Sequence, residues 1–169
     1  MKKNKVYSKF WCFSKDTKIL KDNGLSSSIE TIKQGDKIIS YNHTGQKIET
    51  VVVEKIANSQ HNVINKIVFS NGITVKSTMD HPYWVVNKGW SAVKPKQAKE
   101  NYNLAVNELV IADKCLYYSN GILQEVDVKS IEVEIGDFTM YIISGGKNNC
   151  FFADGILVHD ENLQNCNLK

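Results

Sequence analysis

Phe151-Phe152-Ala153-Asp154-Gly155-Ile156-Leu157-Val158-His159-Asp160 reads as two short apolar strands folded about an Asp-Gly turn, ending abruptly on an imidazole and a carboxyl group. Strands this apolar are buried, and Asp-Gly accepts the positive φ angles that a tight hairpin demands. The segment is a core hairpin, with His159 and Asp160 at its exit.

The same strand chemistry recurs outward from this hairpin. KIISYN (37–42), IETVVVEKIA (48–57), VINKIVFS (63–70), ITVKS (73–77), YWVVN (83–87), LAVNELVIAD (104–113), VDVKSIEVEI (126–135) and FTMYIIS (138–144) are rich in Val, Ile, Tyr and Phe, and many alternate apolar with polar residues. Turn signals separate them, among them Asp22-Asn23-Gly24, Asn71-Gly72, Lys88-Gly89 and Asn120-Gly121. The expectation is an all-β protein. One helical candidate, Ser91 to Asn103, is restricted by Pro95 to a short turn or a helix starting near that proline.

A chain of 169 residues suits a single domain able to bury a core without staples. With 42% apolar and 23% charged residues, no apolar run long enough to span a bilayer and no signal-peptide pattern at the basic N-terminus, a soluble, intracellular (cytoplasmic) protein is expected. The net charge of +3 is small and the lysines are interspersed with acids, which gives nucleic-acid binding no support. Cys12, Cys115, Cys150 and Cys166 stand singly at irregular spacings, unlike a disulfide framework or a metal knuckle, and read as free thiols. The polar ends, 1–11 and 161–169, read as extensions around a domain at 12–160.

Three pieces carry chemistry. Cys12 directly precedes a strand; a lone Cys is ordinarily a small buried hydrophobe, and its thiolate form is a nucleophile. In Thr78-Met79-Asp80-His81-Pro82 a hydroxyl and an imidazole separated by two residues can aim at one peptide group where the chain bends, although a turn with a satisfied histidine has the same pattern. His159 beside Asp160 can set an imidazole against the Asp160–Glu161 peptide bond.

These pieces, in this order, resemble the Hint superfamily of inteins, bacterial intein-like domains and hedgehog autoprocessing domains. Cys12-Phe13 with Asp16-Thr17-Lys18-Ile19 is similar to the family's first block, and Ile29 through Ile38 to the strand and turn after it. Thr78-x-x-His81-Pro82 resembles the second catalytic block, and Lys88-Gly89-Trp90 is similar to the segment after that block. Met140-Tyr141 and Phe151 through His159 resemble the final block, which usually ends in His-Asn. The resemblance implies a Hint-fold horseshoe of twisted antiparallel strands with at most one or two short helices, whose ends meet so that Cys12, Thr78, His81, His159 and Asp160 share one site. It implies no cofactor and no metal, a monomer acting on its own flanking segments, and water or an external thiol as acceptor.

The implied first step is attack of the Cys12 thiol on the Trp11 carbonyl, with Thr78 holding that carbonyl and His81 delivering a proton to the leaving amine. Asp80 is expected as an exposed turn carboxylate, with tuning of His81 as the alternative. Splicing also needs a cyclising Asn and a Cys, Ser or Thr after it; here those positions hold Asp160 and Glu161, so cleavage before Cys12 is expected in place of ligation. Cleavage after Asp160 by carboxyl attack ranks below that. Asn165-Cys166 lies beyond the matched block with no His before it, Cys115 reads as a strand residue, and Cys150 reads as buried beside Phe151, with support of catalysis as the alternative that the resemblance implies. With the matched blocks filling the span, no inserted endonuclease is expected, and with a tail this short no sterol-recognition region is expected. A catalytically degenerate Hint scaffold serving as a binding or structural module is the competing expectation.

Overall fold

The computed structural model describes residues 10–161. Five strands lead in: β1 (Phe13–Ser14), β2 (Lys18–Leu20), β3 (Ser26–Ser28), β4 (Lys37–Asn42) and β5 (Lys47–Val52). They are followed by β6 (Lys55–Phe69), β7 (Thr74–Ser77), β8 (Tyr83–Val85), β9 (Gly89–Ala92), the helix α1 (Pro95–Tyr102) and β10 (Asn107–Glu108). The chain closes with β11 (Lys114–Ser119), β12 (Ile122–Ser144), β13 (Cys150–Ala153) and β14 (Ile156–His159). The protein is all-β, and its pairings are antiparallel except β10 with β9.

The backbone of the fold is the long antiparallel pair β6–β12, which runs from Val128↔Phe69 to Ser144↔Lys55 with register shifts near Ser130 and between Ile135 and Phe138. VDVKSIEVEI and FTMYIIS, expected as separate strands, are thus one strand, because Gly136-Asp137 is absorbed as a bulge that bends the ladder without breaking it. The opposite departure occurs at IETVVVEKIA, which stops after Val52 and restarts at Lys55. Val53 leaves the sheet to exchange bonds with the Gly35-Asp36 turn, and the Glu54 N–H turns to the Ser144 carbonyl.

LAVNELVIAD is also shorter than expected: two of its residues are strand, while Val110 and Ile111 are exposed. The Asp113 carboxylate accepts the Val110 N–H at 2.9 Å and the Lys88 ammonium at 2.8 Å, folding that stretch into a turn. The helix begins at Pro95, where a missing N–H costs nothing, and ends at Asn103 in the left-handed conformation.

The Asp154-Gly155 turn joining β13 to β14 has φ of 49° and 84°. Gly155 is further required because a Cβ there would sit 2.4 Å from the Tyr117 ring. β14 lies in the middle of the sheet, paired with β13, β8 and β11. Its Ile156 and Val158 join Phe13, Ile19, Phe69, Val75, Tyr83 and Phe151 in the main core, and burial of each large apolar side chain contributes about 1.5–3 kcal/mol.

Two pairings prepare the site. β1 is wedged between β12 and β7 through Phe13↔Tyr141 and Phe13↔Ser77, which puts Cys12 beside Thr78. β8 pairs with β14 through Tyr83↔Val158, which puts His81 beside His159.

Candidate functional site: two chain junctions at one buried centre

Cys12 and Thr78 exchange two bonds. The Cys12 N–H donates to Thr78 Oγ1 at 3.2 Å, and the Thr78 N–H donates to the Cys12 carbonyl at 3.0 Å. The hydroxyl therefore grips the nitrogen of the Trp11–Cys12 bond, whereas the sequence pattern placed it on the Trp11 carbonyl. The reason is the sheet: once Phe13 pairs antiparallel with Ser77, the residue before Phe13 meets the residue after Ser77 across the ladder.

Cys12 is fully buried and its thiol has three polar neighbours at 3.2 Å each, the Phe10 carbonyl, Ser59 Oγ and His61 Nε2. Burial pushes the thiol well above its ordinary range, the Glu161 and Asp80 carboxylates push the same way, and the Ser59 hydroxyl opposes them. Burial lowers His61 to about 4, so its ring is neutral at physiological pH with a lone pair to offer. Ser59 and His61 drew no attention in the sequence. The available signal was their i, i+2 spacing on one strand, which puts both on the same face.

His81 is buried, and its Nε2 lies 2.8 Å from the His159 carbonyl. A carbonyl can only accept, so Nε2 carries the hydrogen and Nδ1 is the bare lone pair; Nδ1 is buried with no hydrogen-bond partner. Burial lowers this ring to about 3, against a smaller upward pull from the His159 carbonyl. Asp80 is not exposed as expected. It is buried and accepts from Asn101 Nδ2 at 3.1 Å, because α1 packs back over the turn that carries it. Burial raises its carboxyl, with Asn101 opposing.

At the other junction His159 Nδ1 donates to the Asp160 carbonyl at 2.7 Å, which is the carbonyl of the Asp160–Glu161 bond. Asp160 Oδ2 accepts the Gly145 N–H at 3.0 Å and Oδ1 is buried without a partner. Burial raises Asp160 to about 7, outweighing the Gly145 bond, so near neutrality much of it is a neutral acid. Burial also lowers His159, so its 3.7 Å approach to Asp160 Oδ1 is not an ion pair at neutral pH.

The two junctions touch. The Trp11 N–H is shared between Glu161 Oε2 at 2.9 Å and the Tyr102 oxygen at 3.0 Å, and the Tyr102 hydroxyl donates to the same Glu161 oxygen at 2.6 Å. The Trp11 ring rests on Tyr102 (4.1 Å between centroids) and stands edge-on to His159 (5.2 Å). Chain positions 150 residues apart thereby share one carboxylate oxygen. The fold thus gathers Cys12, Thr78, His81, His159 and Asp160 around adjoining bonds, with His61, Ser59, Tyr102 and Glu161 added to them.

Cys150 and Cys115 are buried in the sheet. Cys150 Sγ donates to the Tyr41 carbonyl at 3.2 Å and lies among Phe152 and Leu157. Cys166, the Asn165-Cys166 pair, residues 1–9 and residues 162–169 lie outside the described residues. Among the described residues no group of three or more His, Cys, Asp and Glu is arranged to hold a metal, and no helix is long and apolar enough to cross a membrane.

This architecture is the intein-like Hint fold. The chain superposes on the DnaB intein from Synechocystis sp. PCC 6803 with a TM-score of 0.74 at 18% identity, over 89% of this chain and 98% of that one. For the bacterial intein-like domain from Clostridium thermocellum the values are 0.73 and 22%, over 88% and 98%. The gp41-1 intein matches at 0.68 and 16%, over 89% and 98%.

In sequence, the family model described as the Ataxin-1 and HBP1 module (AXH) matches residues 13–120, and the chain belongs to that family. It is similar to Ataxin-1 of Rattus norvegicus and of Homo sapiens, 27% identical over 110 residues that make up 62% of this chain. The match spans about 14% of the length of these curated relatives. The family model includes His61, Thr78 and His81 and stops short of Cys12, His159 and Asp160.

Proposed function

We propose that this chain is a single-turnover self-processing domain that opens the Trp11–Cys12 peptide bond by an N-to-S acyl shift, with residues 12–160 as the working domain and 1–11 as its upstream segment. The observation that carries this reading is the gripped amide beside a buried thiol: the nitrogen that must leave is bonded to Thr78 Oγ1, and the sulfur that must attack belongs to the same residue. Holding nucleophile and target together makes the attack intramolecular, the source of much of the acceleration.

In the proposed step Sγ bonds to the Trp11 carbonyl carbon, the C–N bond breaks and the Cys12 nitrogen gains a proton, leaving Trp11 as a thioester. Thr78 steadies the nitrogen. His81, expected to deliver that proton, has its Nε2 hydrogen on the His159 carbonyl and Nδ1 bare, so its role becomes that of an acceptor for the amine hydrogens, and the proton gained by nitrogen is the one the thiol gives up. Water or a small thiol then takes the acyl group. Ligation is not expected: the Asp160 carboxyl carries no amide nitrogen to close a ring, and Glu161 offers neither a hydroxyl nor a thiol.

A chain carrying a reporter upstream of Trp11 should be cut before Cys12, faster with dithiothreitol, and Cys12→Ala should remain whole. Equal cutting of Cys12→Ala would overturn the proposal. A second reading, a Hint scaffold acting as a binding module, is favoured by the extent of the family match, which omits Cys12, His159 and Asp160. It predicts a fusion that stays intact over days with thiol present.

A further inference from the structure

Thr78 and His81 both act on the amide side of the Trp11–Cys12 bond. The thiol must also lose a proton, and Cys12 is sealed from solvent. Of its three polar neighbours, the Phe10 carbonyl has no basic lone pair to hold a proton and the Ser59 hydroxyl is too weak a base to take one from sulfur. There remains His61 Nε2, 3.2 Å from the sulfur and 2.9 Å from Ser59 Oγ.

We propose that His61 is the base that takes the Cys12 thiol proton as the sulfur attacks, with Ser59 fixing the ring. This inference rests on the self-processing reading for its catalytic meaning, while the thiol–imidazole pair can be tested without it. The placement is rigid. Ser59 and His61 are alternate residues of β6 and so project to one face, paired with Met140 and Phe138 of β12. Met140 and Tyr141 also pair with β1, so sulfur and ring are set by one continuous ladder and not by a loop.

Burial disfavours thiolate and imidazolium when each is charged alone, which keeps the proton on sulfur at rest. Formed together, the two opposite charges sit in contact and attract, so transfer concerted with attack is cheaper than either ionisation by itself. The proton that His61 takes from sulfur is then returned, through water in the cleft that His61 and Thr78 both line and the Thr78 hydroxyl, to the Cys12 nitrogen, so that His61 ends neutral. The S–H and C–N bonds break as the S–C and N–H bonds form, with no oxidation.

His61 has an open flank. With Thr78, Asp80, Lys94, Gln97 and Asn101 it lines a cleft of about 620 Å³. Its polar walls admit water, a small thiol or an added imidazole to the same ring, so the base of the first step also faces the acceptor of the second.

Two measurements on the full chain test this. Alkylation of Cys12 by iodoacetamide, followed by peptide mass mapping, should slow about tenfold in His61→Gln, which retains the polar contact with Ser59 but has no basic nitrogen. Cleavage of an upstream fusion should fall by roughly 10²–10³-fold in His61→Ala and recover in part with added imidazole, while Cys12→Ala does not recover. The thermal midpoints of both His61 variants should stay close to that of the parent, which separates loss of a base from loss of fold. Unchanged alkylation of Cys12 in His61→Gln overturns the pair, as does unchanged cleavage in a parent that cleaves. If the parent chain does not cleave but His61→Gln still slows alkylation, the self-processing reading fails and the thiol–imidazole pair stands.

Discussion

The two junctions are built from similar parts and differ in what is ready to react. At Trp11–Cys12 the nucleophile is a thiol with an imidazole at 3.2 Å, and its amide nitrogen is already held by Thr78. At Asp160–Glu161 the carbonyl is the better prepared group, bonded to His159 Nδ1 at 2.7 Å, but the adjacent carboxyl is occupied by Gly145 and only partly ionised near neutral pH. On the proposed reading, one junction has a nucleophile with its base, and the other has a polarised carbonyl with no competent nucleophile. Sharing one buried centre does not give both bonds the same chemistry, and that asymmetry favours cleavage before Cys12 over ligation.

Each junction can be perturbed separately. The largest expected effect is at the first, where His81→Asn removes the ring packed between the Trp11 and Phe13 side chains and should slow N-terminal cleavage by roughly 10²–10⁴-fold in a single-turnover assay. Asp160→Asn should narrow the difference at the second junction. It supplies the missing amide nitrogen, so slow cleavage after residue 160 should appear by mass spectrometry where the parent shows none.

The same variant has a stability signature with a definite sign. In the native state Asp160 holds its proton up to about pH 7, whereas the unfolded chain releases it near pH 3.9, so between these values the native state binds more protons and loses stability as pH rises. His81 and His61, lowered to about 3 and about 4, act in the opposite direction over the range up to their unfolded value near 6.5. Subtracting the Asp160→Asn denaturation profile from that of the parent isolates the carboxyl. The variant should gain on the parent by a few kcal/mol between about pH 4 and pH 7.

Smaller effects are expected at the contacts that join the ends. Thr78→Ala removes the side-chain bond to the Cys12 nitrogen but leaves the backbone bond, and should cost roughly tenfold in cleavage rate. Glu161→Gln removes a negative charge that holds the Cys12 thiol up, so alkylation of Cys12 should become a few-fold faster.

Much of the fold was legible because it is written locally. The 151–159 hairpin has its apolar strands and Asp-Gly turn within ten residues, and Pro95 marks the start of the helix. Thr78 and His81 stood out because they share one short segment. The site's remaining parts depend on distant pairings. His61 reaches Cys12 across 49 residues from a polar stretch with no motif, and Glu161 reaches Trp11 across 150 from an unpatterned tail. The side of the bond that Thr78 holds depends on the Phe13↔Ser77 pairing, and the burial of Asp80 on how α1 packs. Tertiary contacts of this kind leave no local signal.

The most direct test is the intact mass of freshly expressed chain carrying an upstream reporter, before and after dithiothreitol. Two products divided between Trp11 and Cys12 are expected, the upstream one ending as a free acid or thiol adduct, with no spliced species. A mass that stays whole over days in thiol would contradict cleavage at this bond.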